Sequence, residues 1–188
     1  MSDPSVPASP AGRTLPDPGF AGDRGAADEA LRTALAAYAA DVDDPDAHVG
    51  VLAALGRARV LVPVVAILGE VEHDERGPAR QKTSEMRGSS GVEMATVLLT
   101  GRDGRQALLA FTGLDSLAAW QADARPVPVG ARDAARSALE EQAAALLLDV
   151  AGPTPYAVEG EALQGLARGW SVVQTPDGPA WAASAPQE

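Results

Sequence analysis

Glu93-Met-Ala-Thr-Val-Leu-Leu-Thr100, Gly101-Arg-Asp-Gly104 and Arg105-Gln-Ala-Leu-Leu-Ala-Phe-Thr112 form one continuous stretch whose reading decides the fold. Two runs of β-branched and aliphatic residues flank a four-residue connection with glycine at both ends, which is the chemistry of a β-hairpin. A helix starting just after the turn would make the glycines a candidate phosphate cradle; strands on both sides make them a turn. A sheet with this hairpin near its centre is the starting point.

Upstream, Arg59-Val-Leu-Val-Pro-Val-Val-Ala-Ile-Leu68 has the length and branching of a buried strand. Pro63 cannot donate to a ladder, so the strand is expected to be an edge or to bulge there. Further back, Ala30, Leu31, Ala34, Leu35 and Tyr38 recur at helical spacing from Ala27, with Asp23 or Asp28 as N-cap and Asp43-Asp44-Pro45 as the stop. A second helix is expected after Asp46, burying Val49, Leu52, Ala53 and Leu55. Residues 1–25, with Pro4, Pro7, Pro10, Pro16 and Pro18, read as a disordered tail, so order should begin near Ala26.

Downstream, Thr112-Gly-Leu-Asp115 resembles a capping box for a helix running to about Trp120. Pro126-Val-Pro-Val129 is extended and suits an edge, and residues 131–144 are helical with Ala135, Ala138, Leu139 and Gln142 along one stripe. Leu146–Val150 and Tyr156–Val158 read as strands, Glu161–Ala167 as a last helix, and residues 175–188 as a tail or part of a final hairpin. The fold class is α+β: a single domain over 26–174, with a mixed or antiparallel sheet, a central hairpin and helices packed on it.

Composition narrows the function. The formal charge is -11, from 26 acidic and 15 basic residues. Lys82 is the only lysine, and no run of basic residues interrupts the acidic background, so no nucleic-acid partner is expected. The absence of cysteine excludes disulfides, thiol nucleophiles and cysteine-ligated metals, and fits a cytoplasmic protein. No signal peptide precedes the domain, and the longest strongly apolar run, Val60–Leu68, is far below the roughly 20 residues of a membrane helix, so no membrane partner is expected either.

No catalytic, metal-binding or cofactor-binding constellation emerges. His48 has no second ligand at helical spacing and reads as a satisfied or surface histidine. His73 sits in Glu70-Val-Glu-His-Asp-Glu75, better read as a solvated charge run than as a cation site. Arg87-Gly-Ser-Ser-Gly91 lacks the spacing of a nucleophile elbow, and Glu140-Glu141 point apart on a helix. What remains is recognition of a protein partner. Residues 70–91 are polar and aperiodic and read as a mobile loop, in which Lys82 and Met86 are candidate contacts. Trp120 and Arg125 bracket the exit of a short helix and belong to residue types enriched at binding hot spots.

The order of short motifs carries a resemblance. Arg59-Val-Leu-Val-Pro63, Met94-Ala-Thr-Val97, Gly104-Arg105, Phe111-Thr112 leading into Leu114-Asp-Ser-Leu117, Ala124-Arg-Pro-Val-Pro-Val129, Leu148-Asp-Val-Ala-Gly-Pro153 and Ala162-Leu163 follow one another as in the SseB family. The chain looks most like the actinobacterial branch, related to the enterobacterial enhanced serine sensitivity protein. The resemblance implies a cytoplasmic α+β domain without an assigned active site, and it transfers no catalytic residue. The enterobacterial relatives add a C-terminal domain that this sequence is expected to lack. A secretion translocon protein of the same name is unrelated in pattern. The expectation is a non-enzymatic interaction or regulatory module. The alternative, supported only by the link to serine sensitivity, is a small-molecule-binding domain or an enzyme acting on an amino acid or its derivative.

Overall fold

The computed structural model describes residues 20, 22–66, 81–86, 94–175 and 178–183. Along them run α1 (Glu29–Ala40), α2 (Pro45–Leu55), β1 (Arg59–Ala66), β2 (Gln81–Met86), β3 (Met94–Thr100), β4 (Gln106–Ala110), α3 (Leu114–Trp120), β5 (Arg125–Gly130), α4 (Ala131–Glu140), β6 (Ala145–Leu148), β7 (Tyr156–Glu159), α5 (Gly160–Ala167), β8 (Ser171–Thr175) and β9 (Gly178–Ala182). β1 to β7 form one sheet in the order β5-β1-β3-β4-β6-β7, with β2 also paired to β3, while β8 and β9 make a separate hairpin. Only the β4–β6 pairing is parallel, so the sheet is mixed and the fold is α+β.

The hairpin forms as the glycines predict. Gly104 adopts φ +81, a left-handed turn position that costs glycine little, and Gly101 exchanges a backbone hydrogen bond with Arg105. β3 then plays two roles. Its first half pairs with β1 (Val64 opposite Thr96), its second half with β4 (Leu98 opposite Leu108). β1 also meets the end of β4, where Leu61 and Phe111 exchange both backbone hydrogen bonds at 2.8 Å.

This junction explains Pro63, and it corrects the expectation of an edge or a bulge. β1 lies inside the sheet, between β5 and β3. Because Leu61 directs its N–H toward Phe111, residue 63 directs its own position toward the same side, between the Leu61–Phe111 bridge and the Val64–Thr96 pairing. A missing donor is tolerated at that handover. On β1's other side, Pro63 faces Pro126 and Leu61 faces Pro128, so both β5 prolines turn their missing donors to the outer edge.

Several boundaries also shift. Asp28 caps α1 through a 2.9 Å bond from the Leu31 N–H. Asp44 caps α2, with Pro45 rather than a residue after Asp46 at its first position, where the ring's fixed φ suits the first turn. Gly113, not Thr112, is the N-cap of α3, and the Ser116 hydroxyl donates to its carbonyl. α4 ends at Glu140, which leaves Gln142 beyond the helix and Leu139 exposed. The segment 70–91 is not loop throughout, since residues 81–86 pair with β3 as β2; its remainder lies outside the described residues. Order begins before Ala26: Gly25 is buried and its carbonyl accepts from the Leu114 N–H. Residues 1–19 of the expected tail lie outside the described residues.

Strand periodicity sorts the core into two sets. Val60, Val62, Leu98, Leu108, Ala110, Leu146 and Leu148 join residues of α1, α2, α4 and α5 in the main cluster. Their neighbours Leu61, Val97, Leu109 and Phe111 form a smaller cluster with Leu117 of α3 on the opposite face. No helix among the described residues is long and apolar enough to cross a membrane.

Candidate functional site

Among the described residues, only half of the smaller face is roofed. α3 covers Leu61, Leu109 and Phe111, with the Trp120 ring against Phe111 at 5.4 Å between centroids. Beyond α3 the described residues leave a groove of about 460 Å³, floored by Leu99, Ala107, Leu147 and Ala157. Small residues at alternate positions of β4 and β7 make the floor shallow, because their large neighbours Leu108, Tyr156 and Val158 are all turned into the main core. The hairpin turn closes one end. There Arg105 donates to Asp103 at 2.6 Å and to Glu159 at 3.1 Å. Its own hydrogen bond to Arg105 holds the Asp103 carboxyl below its ordinary value, and the same contact raises the Arg105 guanidinium. The groove lining holds no hydroxyl, imidazole or amine. A surface of this kind can bury apolar side chains and place charges; its two carboxylates, Asp103 and Glu159, both accept from Arg105.

Beside α3 lies a polar lock. Arg59 pairs with Asp23 and donates to the Ala26 carbonyl at 2.6 Å and the Thr112 carbonyl at 3.0 Å. Thr112, itself buried, donates through its N–H at 2.9 Å and its hydroxyl at 2.7 Å to the Asp149 carboxylate. Asp149 holds φ 49, a left-handed conformation that aspartate tolerates better than most side chains. Burial alone would raise the Asp23 pKa, but the Gly25 N–H and the Arg59 guanidinium outweigh it and hold the carboxyl below its ordinary value. Every bond in this network ends on backbone or on a partner already satisfied, so the network fastens the chain rather than presenting a reactive group.

The second polar cluster answers the question of His48. Its Nδ1 lies 2.8 Å from the Tyr156 hydroxyl, and Tyr38 meets the Tyr156 ring edge-on at 4.9 Å. Burial, with Tyr38 adding, pushes the Tyr156 phenol well above its ordinary value, so it stays protonated. His48 is therefore a satisfied histidine at the rim of the core. His73 and its acidic neighbours lie outside the described residues, and among the described residues no group of three or more metal-ligating side chains gathers.

The residues singled out from sequence are not brought to one place. Lys82 and Met86 lie in β2, opposite Leu98 and Met94 of β3. Trp120 packs on the α3 side against Phe111. Arg125 opens edge strand β5 opposite Val64, in step with Val62 and Val60 and so on the four-helix face by register. It is exposed and makes no ion pair among the described residues. The groove itself went unread, although strict alternation in Tyr156-Ala-Val-Glu159, large residues against small or charged ones, is a signal for one buried and one open face.

No curated protein and no solved structure matches this chain. The family described as SseB protein N-terminal domain matches residues 31–165, from the first turn of α1 to within α5. That span contains the hairpin, the Arg59 and Thr112–Asp149 contacts that tie the recurring motifs together, and the half-open face; the chain belongs to the SseB family.

Proposed function

We propose that this SseB-family chain is a non-enzymatic interaction module that docks a protein partner on the half-open face of its sheet. The observation that carries the reading is the groove itself: a continuous apolar floor of Leu99, Ala107, Leu147 and Ala157, bounded by a charged turn whose carboxylates are tied to Arg105. Apolar floors with polar rims are how protein surfaces hold partners. The net charge of -11 favours a partner whose contacting surface is basic, because complementary charge speeds encounter and suppresses wrong pairings.

Leu147→Glu tests this. The residue is only half-buried, so the fold should survive, while a carboxylate in the middle of the floor should abolish docking. Captures from native lysate by the wild-type and substituted chains, compared by mass spectrometry, should differ by the loss of one or a few basic proteins. Identical captures would sink the reading. Saturable stabilisation of the chain by a free amino acid would shift the assignment to the small-molecule alternative.

A further inference from the structure

On the side of the molecule where α2 and α5 end, the fold gathers three arginines from distant parts of the chain. Arg57 follows α2, Arg132 is the second residue of α4, and Arg168 follows α5. Arg57 and Arg132 line a depression of about 120 Å³ together with Trp170 and Ser171, and Arg168 lies over the Trp170 ring at 5.0 Å from its centroid. In a chain of net charge -11, none of the three has a carboxylate within ion-pairing distance among the described residues.

We propose that Arg57 and Arg132, with Arg168 stacked on the neighbouring Trp170, form a binding site for a tetrahedral oxyanion of phosphate size. Arg132 supplies the ordered donor. Its Nε donates to the Gly56 carbonyl at 2.7 Å, which fixes the guanidinium plane at the depression. Gly169, held at φ +74, lies beside it, and a Cβ there would make ordinary contact with Nη1 at 3.4 Å. Arg168 stacks on Trp170, and Arg57 is exposed at the rim of the depression.

The competing account is that these arginines only offset the helix C-termini of α2 and α5. That account covers the Arg132 Nε bond to Gly56, but it does not explain why two guanidiniums with no carboxylate partner among the described residues line one small depression. Guanidinium forks match oxyanions through paired hydrogen bonds, and the volume admits a single phosphoryl group rather than a nucleoside or a peptide segment.

The full chain is titrated with inorganic phosphate at ionic strength held constant with chloride, following the Trp170 indole and Arg132 Nε proton resonances. Saturable shifts of both are expected. Arg57→Ala, which removes an exposed side chain, should weaken phosphate about tenfold. Arg132→Lys, which keeps the charge but loses the fork, should weaken it comparably, and if that variant does not fold, Arg57→Ala decides alone. Methyl phosphate distinguishes a phosphomonoester, which should bind at least as well, from free phosphate as the better source. Shifts that chloride reproduces, wild-type affinity in Arg57→Ala, or acetate binding as tightly as phosphate would each overturn the proposal.

Discussion

The same strands build two unlike faces. On one, Val60, Val62, Leu108, Leu146 and Leu148 disappear under four helices; on the other, their immediate neighbours Leu61, Leu109 and Leu147 meet a single helix, α3, of seven residues. One residue's step along a strand therefore moves a side chain from a sealed core to a surface that is half open. The difference sets a sealed face, whose buried area carries stability, beside one on which the described residues leave a groove.

The largest effect that could break this comparison is at the roofed face. Leu146 is fully buried, and Leu146→Ala should cost about 2–5 kcal/mol, measured by chemical denaturation. Leu147→Ala, one residue on, should cost less, about 1–2 kcal/mol, because it is only partly buried. Equal losses would mean that the two faces carry stability alike.

Trp120→Ala comes next. The ring seals the roofed half of the smaller face against Phe111, so its loss should destabilise by about 2–3 kcal/mol, below the full cost of a buried tryptophan because it is partly exposed. A melting temperature that does not move would return Trp120 to the role of an exposed contact, which its composition alone had indicated.

Much of this architecture was legible in the residues. The hairpin announced itself through Gly101 and Gly104, and the helices through their periodicity, because these signals are local. The handover at Pro63 was not legible, since it depends on Phe111, a residue 48 positions away that takes β1's donor on the far side of the ladder. Thr112 followed by Asp115 read as a capping pair because local spacing cannot show that the hydroxyl is already committed to Asp149. The arginine cluster shows the same limit. Arg57 and Arg132 are far apart in sequence, so a search for basic runs passes over the depression they both line.

The polar lock gives a smaller effect with a sign in pH. Asp23 titrates below its ordinary value when folded, so its contribution is complete at neutral pH and is lost as pH falls through that lowered value. Asp23→Asn should remove about 1 kcal/mol at neutral pH and reduce the steepness of acid unfolding below about pH 4. Deleting residues 1–25 should cost more than deleting 1–19, since the longer deletion takes Asp23 and the Gly25 carbonyl that accepts from Leu114. Equal stability of the two truncations would show that the segment before Ala26 holds nothing.

The smallest expected effect discriminates between surfaces rather than energies. Arg125 stands on the edge strand opposite Val64, exposed and without an ion pair among the described residues, on the face away from the groove by register. Replacing such a side chain changes stability by no more than about 0.5 kcal/mol. If docking uses the groove, Arg125→Ala should also leave partner capture unchanged while Leu147→Glu abolishes it. A capture lost on Arg125→Ala and kept on Leu147→Glu would reverse the assignment: the partner would then sit along β5, held by a guanidinium fork and main-chain contacts at a strand whose prolines already deny it some donors. Loss in both variants would mean that the partner wraps the β5 edge to reach the groove, and the footprint would have to include the Pro63–Pro126 step between them.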